Sequence, residues 1–598
     1  MVMTELHLAK RIRDRIRLTP ALPAMGFEAD GGWKSISYGE LGKRIDAVAS
    51  WLIDAGVEHG DRVAIFAANS PSWSIADLAI MSIGAISVPI YATNTAEQAL
   101  HILRDAGATV AFVGDADQLK KILPLHSEKA VRRIAVFDPN AALTGEGIPA
   151  FDELLAHGLS PLLAGRMAAT DANDLAAFIY TSGTTGEPKG VMLTHFNVSS
   201  QFETLDRKFD VSERDRSLCF LPLSHSYEHC WTLYVLAQGA ENVYLEDPKR
   251  VAEVLKQVRP TCMVSVPRLY EKVYSTARHR LSRASERKRA LFDWALGVGR
   301  EVGYRKVRKE KIGALLAAKH AVADKLVLGK VRDLVGGPKN FFSAGGAALS
   351  KEIEEFFFST GLLVCQGYGL TETAPMLTCN APGDFKFGTV GKPIVGVEIK
   401  IAADGEILAR GPNLMQGYYG MPEATAEAIV DGWFHTGDIG SFDEDGFLRI
   451  TDRKKDLIIT SGGKNIAPSR IESIIGGDYY IDQIAAVGEG RNYISALIVP
   501  QFEALEEWAR EHGVSTDSLQ SMVKDPRVIA FFAERIEQQQ KELAQYEKVK
   551  KFTLLSDRFS QIGGEITPTL KNVRKVIASK YQSLIESMYS PGDDEQKP

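Results

Sequence analysis

The segment Thr181-Ser182-Gly183-Thr184-Thr185-Gly186-Glu187-Pro188-Lys189 has the residue types needed to grip phosphate. Glycines let backbone N–H groups converge on an anion, hydroxyls add donors, and Lys189 adds positive charge. A Walker loop would close on Gly-Lys-Ser/Thr and open a helix. Counting from Gly183, the sixth position here is Pro188, followed by Lys189 and Gly190, and the next stretch, GVMLTH, is strand-like. The segment is therefore read as a polyphosphate site of another class. A plain surface turn would not need this density of hydroxyls beside a lysine.

Such a loop needs a rigid platform, and the residues before it supply one. Short β-rich runs, RVAIFA from Arg62, ISVPIY from Ile86, TVAFVG from Thr109 and RIAVF from Arg133, alternate with stretches of helical spacing. That alternation predicts parallel strands joined by crossover helices. ENVYLE and TCMVSVP continue it after the loop. Near residue 450 the texture changes to a strand, a charged turn, a strand and a glycine loop before a helix, in GFLRITDRKKDLIITSGGKNIAPSRIE. The fold class is α/β, with a large multi-layer N-terminal domain over 1–451 and a small, mobile α+β domain over 452–598. The end, YSPGDDEQKP, is polar and is expected to be disordered.

A chain of 598 residues exceeds one ordinary core. Its longest weakly polar run, Leu78 to Ala92, contains two serines, a glycine and Pro89 and is too short to span a bilayer. The basic N-terminus lacks the apolar core of a secretory signal, which points to the cytosol. Five cysteines show neither disulfide nor zinc spacing and are read as reduced packing residues. Net charge is −6, but residues 277–333 hold 16 Lys or Arg against 6 Asp or Glu, leaving the remainder near −16. This proline-free segment predicts long basic helices, either a solvated face or a surface for an anionic membrane or cofactor. Nothing indicates nucleic acid as a partner.

YTSGTTGEPKGV resembles the phosphate loop of the adenylate-forming superfamily, which includes acyl-CoA synthetases, firefly luciferases and peptide-synthetase adenylation domains. Six more similar segments follow in the family's order: LPLSHSYEH from Leu221, SAGGAAL from Ser343, QGYGLTET from Gln366, GWFHTGD from Gly432, DRKKDLIITSGGKNIAP from Asp452 and TPTLKNVRK from Thr567. In QGYGLTET, Tyr368 offers a flat face for adenine, Gly367 and Gly369 allow close backbone approach, and Glu372 is a hard oxygen ligand suited to Mg²⁺. The resemblance implies that Thr184 shares that metal, that Gly346 and Gln366 line the adenine, and that Thr371 meets the α-phosphate. It further implies that Asp438 binds the ribose hydroxyls, that Arg453 adjoins the nucleotide, and that His225 lies near the substrate carboxylate.

The implied reaction is attack of a carboxylate on the α-phosphate of ATP, giving an acyl-adenylate and pyrophosphate. The carboxylate is already ionised, so the task is to hold two anions together and offset charge. Lys571 matches the family's C-terminal lysine, which serves this half-reaction. The second half-reaction transfers the acyl group to CoA after the small domain rotates about a hinge matching Lys455. Ser461, Gly462, Gly463 and Lys464 would then border the pantetheine tunnel. Long-chain acyl-CoA synthetases carry a basic helical insertion similar to 277–333 and a TPTLK-like final motif, so a long-chain fatty acid is the expected substrate. Trp231 is similar in position to an indole gating the acyl tunnel in relatives. Two readings stand beside this one: a fatty acyl-AMP ligase serving a carrier protein, or a CoA ligase for a medium-chain or other acid. A non-enzymatic lipid carrier would have no use for Glu372, Asp438 and Lys571. Peripheral contact with the inner face of a membrane and a homodimer remain open.

Overall fold

The computed structural model describes residues 5–143, 147–181, 188–567 and 571–589. Arg62–Ala67, Ile86–Tyr91, Val110–Val113 and Arg133–Val136 form parallel strands, where the β-rich runs predict them. Helices cover both faces of this sheet, and for that reason its strands read as nearly unbroken apolar runs. Local signals fix the crossovers. Pro71–Ser82 starts after Ser70, whose hydroxyl accepts the Trp73 N–H. Ala96–Ala106 opens with a Thr95/Gln98 capping box and ends at Gly107 in the left-handed region.

Two further strands, Leu175–Thr181 and Lys189–Thr194, join the sheet as an antiparallel pair with Thr181 opposite Lys189. The phosphate segment thus leaves one strand and enters another, as expected from GVMLTH. Ser182, Gly183, Thr184, Thr185, Gly186 and Glu187 lie outside the described residues. A second large sheet has nine strands, with Cys262–Ser265, Phe341–Ala344 and Val364–Gly369 parallel near one end. Val364–Gly369 then pairs antiparallel with Met376–Cys379. At Gly369 an added Cβ would sit 1.6 Å from the Pro375 carbonyl oxygen, so only glycine fits this return.

A third sheet of five strands includes Glu406–Arg410, Trp433–Phe442 and Leu448–Arg453. The boundary expected between 451 and 452 falls inside its last strand, whose ladder continues to Asp438↔Arg453. The chain after Asp456 packs around separate apolar clusters, one containing Ile471, Ile498 and Phe532, the other Leu497, Phe559 and Ile577. Their scaffold is a three-stranded sheet of Ile481–Val487, Ile494–Pro500 and Val549–Leu554. Tyr589, the first residue of the polar end, closes the helix Gln582–Tyr589, and residues 590–598 lie outside the described residues.

The basic segment is helical: Pro267–Ser282, Glu286–Val307 and Ala314–Ala323, the last continuing through a wider turn, Asp324–Leu328, into Gly329–Leu334. All five cysteines are buried and free. No helix of the described residues is long and apolar enough to cross a membrane.

Candidate active site

A continuous cleft of about 4360 Å³ separates the large domain from the small one. Its walls include Thr181, Lys189, His225, Trp231, Gly346, Gln366, Gly367, Tyr368, Gly369, Thr371, Glu372, Asp438, Arg453, Lys455 and Lys571. Residues up to 390 positions apart in sequence are thus brought to one opening. Ser461, Gly462, Gly463 and Lys464 are not among them.

The middle of the strand Trp433–Phe442 carries Asp438, which is buried. Its Oδ2 accepts the Tyr368 hydroxyl at 2.7 Å, and its Oδ1 accepts Arg453 Nε at 3.2 Å. Burial raises the Asp438 pKa, against the opposing charge of Arg453 and the Tyr368 hydrogen bond. The aromatic face and the carboxylate expected to meet a nucleoside are therefore one hydrogen-bonded unit. Burial likewise drives the Tyr368 pKa upward, so the phenol remains a donor.

Gln366 lines the cleft and also braces a neighbouring loop. Its Oε1 accepts the Leu349 N–H at 2.9 Å and its Nε2 donates to the Leu349 carbonyl at 3.2 Å. The amide thereby holds the loop after Phe341–Ala344. Gly346 lies there in the left-handed region with φ +82, open toward the cleft. At neighbouring Gly345 a Cβ would press on the Tyr227 ring at 2.9 Å. Tyr227 itself bonds Ser343 Oγ at 2.6 Å.

Glu372 accepts the Tyr418 hydroxyl at 3.0 Å, and the Lys189 ammonium lies 5.0 Å from the centre of the same ring. Tyr418 thus connects the phosphate-segment lysine with the candidate metal ligand, a role sequence reasoning missed. Its one visible signal is the glycine-flanked GYYG at 417–420. Gln201 and Asn413 were missed as well. Gln201 accepts the Met376 N–H at 2.9 Å, and Asn413 donates to the Thr373 and Met376 carbonyls at 2.9 and 2.8 Å. Together they hold the turn that presents Glu372. Thr371 shares a 3.2 Å hydrogen bond with Ser226.

His225 caps the helix Ser226–Gln238, and its Nδ1 accepts the Tyr227 N–H at 3.2 Å. Burial, followed by the charge of Lys571, lowers its pKa to about 4. The ring is neutral at pH 7 with its proton on Nε2, so it can donate to an anion but offers no base toward the Nδ1 side. Trp231 forms part of an apolar stretch of wall with Phe202, Phe209 and Phe341. Its indole donates to Ser217 Oγ at 2.9 Å and lies 5.0 Å from the Phe341 ring. In this arrangement the indole expected to gate the passage forms part of its wall.

Lys571 comes from the small domain. Its N–H bonds Thr567 Oγ1 at 3.1 Å, its carbonyl accepts the Thr567 N–H at 2.9 Å, and Ile566 bridges Asn572. Residues 568–570 lie outside the described residues. Asn572 is tied to the Ile484 carbonyl at 2.8 Å, and Arg574 forms a bidentate pair with Glu472 at 2.8 Å. Although reachable from the open cleft, the ammonium is desolvated by surrounding protein. That effect, then Arg453, lowers its pKa to about 8 despite Asp438, Asp456 and Glu372.

Lys455 lies in the turn between Leu448–Arg453 and Ile458–Ile459, where the Asp456 N–H returns to the Arg453 carbonyl at 3.0 Å. Beyond it, Ile458–Ile459 and Asn465–Ile466 form a hairpin whose tip is the glycine loop. Ser461 at that tip bonds Asn492 at 2.5 Å, Lys464 lies 5.9 Å from the Tyr546 ring, and 461–464 are exposed.

The described residues do not gather three or more His, Cys, Asp or Glu into a metal cage. Mg²⁺ needs only one or two carboxylates when phosphate oxygens and water complete its shell. Glu372, facing the same opening as Lys189, fits that kind of site; Thr184 lies outside the described residues.

Comparisons agree with this architecture. Residues 12–419 match the model of the AMP-binding enzyme family, and residues 455–593 match the AMP-binding enzyme C-terminal domain. The chain is 38% identical over 579 residues to the long-chain-fatty-acid--CoA ligase FadD15 of Mycobacterium bovis, covering 94% of this chain and 93% of that one. It is 31% identical over 589 residues to the peroxisomal long chain acyl-CoA synthetase 6 of Arabidopsis thaliana, covering 94% and 82%. In fold it resembles the A domain of a carboxylic acid reductase from Segniliparus rugosus, solved with AMP and a co-purified carboxylic acid. The TM-score is 0.78 at 23% identity, over 98% of this chain and 95% of that one.

Proposed function

The chain belongs to the AMP-binding, adenylate-forming enzymes, and from that premise we propose how its residues convert a long-chain fatty acid into its CoA thioester. The family relationship supports activation to an acyl-adenylate followed by transfer to CoA. One observation carries the assignment of parts: Lys571 of the small domain reaches the cleft where Glu372, Asp438 and His225 of the large domain already meet. A carrier or storage protein has no need of that convergence.

In the first half-reaction a carboxylate oxygen forms a bond to the α-phosphorus as the bond to pyrophosphate breaks, and the electron pair leaves with pyrophosphate. Asp438 and Tyr368 hold the nucleoside, and Lys189 and Arg453 face the phosphates. Lys571 lies where negative charge grows between carboxylate and phosphate. His225 donates from Nε2 to one of those oxygens. Glu372 would hold Mg²⁺, which when bound would supply positive charge against the polyphosphate. In the second half-reaction the CoA sulfur bonds to the acyl carbon, the thiol proton is released, and AMP leaves.

The apolar wall of Phe202, Phe209, Trp231 and Phe341 accommodates the alkyl chain. The helix from Ala314 also exposes Leu315, Val322 and Leu326 at 71%, 51% and 43%, on one stripe interleaved with Lys319, Lys325 and Lys330. Apolar side chains ringed by lysines suit an anionic bilayer surface, from which fatty acid is drawn. Binding to vesicles containing phosphatidylglycerol but not to neutral vesicles is the expected result, and equal binding to both would remove this contact.

The decisive assay supplies ATP, Mg²⁺, CoA and fatty acids from short to very long, measuring pyrophosphate and identifying thioesters by mass spectrometry. Long-chain acyl-CoA is expected. Pyrophosphate without CoA consumption would make the chain an adenylate-only ligase, and no fatty-acid-dependent pyrophosphate would overturn the reading.

A further inference from the structure

The start of the basic helical segment is not simply a solvated face. Along Pro267–Ser282 and its cap, Arg268, His279 and Arg283 are spaced by 11 and 4 residues, which places them on one stripe about 22 Å long. All three engage the small domain. Arg268 donates to Asp482 Oδ1 at 2.8 Å and also to the Asp482 carbonyl. His279 stacks on Tyr479 with ring centres 3.9 Å apart and planes 6° from parallel. Arg283 spans two carboxylates, Glu507 at 2.9 Å and Glu511 at 3.2 Å.

The opposite side of this helix is built into the large domain. Tyr270 is buried, its hydroxyl bonds the Ser343 carbonyl, and its ring packs on Phe342 and Phe357. The helix is thus a strut with one side on the strand leading to Gly346 and the other on the small domain. On the small-domain side the contact continues toward Lys571. Asp482 lies in the strand Ile481–Val487, and Ile484 of that strand accepts the Asn572 side chain next to Lys571.

We propose that Arg268, His279 and Arg283 are positioning residues that latch the small domain in the arrangement placing Lys571 in the cleft. Release of the latch favours the arrangement that admits CoA. This rests on the two-step reaction proposed above and adds a device that sets the balance between its halves. Bound substrate need not contact the latch, because the three side chains act through the orientation of the strand Ile481–Val487. Weakening the latch shifts the ratio of the two arrangements, so the ratio of the two half-reaction rates moves whichever arrangement predominates.

The test is Arg283→Glu, a solvent-facing change that sets like charge against Glu507 and Glu511. Fatty-acid-dependent ATP–pyrophosphate exchange and thioester formation from preformed acyl-adenylate and CoA are measured in one preparation. The expected result is a fall of about tenfold in the ratio of exchange to transfer, restored when Glu507→Arg and Glu511→Arg are added. His279→Ala, which introduces no repulsion, should shift the ratio in the same direction by a smaller factor. A ratio within about twofold of the unmodified enzyme in both variants, or equal loss of both rates without rescue, would overturn the latch. Absence of fatty-acid-dependent exchange in the unmodified enzyme would instead overturn the proposed function, which keeps the two failures apart.

Discussion

Two loops of the small domain contain a lysine and lie in opposite situations. Lys571 lines the cleft, is followed by Asn572 and Arg574, which are tied to the rest of the small domain, and has its ammonium desolvated near Arg453, Asp438 and Glu372. The loop 461–464 is exposed at a hairpin tip, outside the cleft, with open space around Gly463. One domain thus presents one chemistry to the site and keeps another away from it. The arrangement seen is the one that the proposed function assigns to adenylate formation. Under the proposed function, rotation about the turn at Lys455 would bring the second loop to CoA.

The largest expected effect comes from removing the lysine that is engaged. Lys571→Ala should lower adenylation about 10³-fold while sparing thioester formation from preformed acyl-adenylate, because the lost cation serves charge that develops only in the first step. Loss of both steps would erase the contrast between the loops. The complementary change is at the second loop. Gly463 has φ +72, so a leucine there brings backbone strain along with bulk. Gly462 has no such conformation, and the nearest atom to an added Cβ is Thr460 Oγ1 at 4.0 Å, which makes Gly462→Leu the cleaner probe. It should leave pyrophosphate exchange intact and reduce CoA transfer about 10²-fold or more. Unchanged transfer would mean that the glycine loop does not border the thiol's path.

Glu372→Gln keeps shape but removes charge from the candidate Mg²⁺ ligand. Nucleotide binding should persist while Mg²⁺-dependent turnover falls about 10- to 100-fold, with circular dichroism excluding misfolding. Near-normal turnover with the same Mg²⁺ dependence would remove the ligand assignment. A pH profile sharpens the comparison without mutation. Lys571 is protonated below its pKa of about 8, so kcat/KM for adenylation should fall as pH rises through that value. Thioester formation from preformed adenylate should lack this limb, and Lys571→Arg should abolish it in the first step. The smallest effect is expected at Tyr418→Phe, which retains the ring near Lys189 but removes the hydrogen bond to Glu372. Adenylation should drop about 3- to 10-fold, with the loss larger for Tyr418→Leu.

Sequence by itself determined a great deal here. Parallel strands at Arg62, Ile86, Val110 and Arg133 were legible because strands buried on both faces are continuous apolar runs between helix signals. That Lys189, Glu372, Asp438 and Lys571 belong together was legible because each stands in a short motif and the motifs follow one order; the structure brings all four to one cleft. The tertiary structure decided what those motifs do to one another. Tyr368 and Asp438 form a single hydrogen-bonded unit, Tyr418 joins Lys189 to Glu372, and the Gln366 amide is spent on Leu349. Such pairings depend on where strands end in three dimensions, and no local periodicity encodes contacts between residues 46 or 229 positions apart. The basic helix shows the limit most clearly. Its charge was plain in the composition, but whether Arg268 and Arg283 face solvent, lipid or the small domain follows from which side of the helix packs on Phe342. Burial of Tyr270 decides that, and it turns one stripe of arginines and His279 toward Asp482, Tyr479 and Glu507.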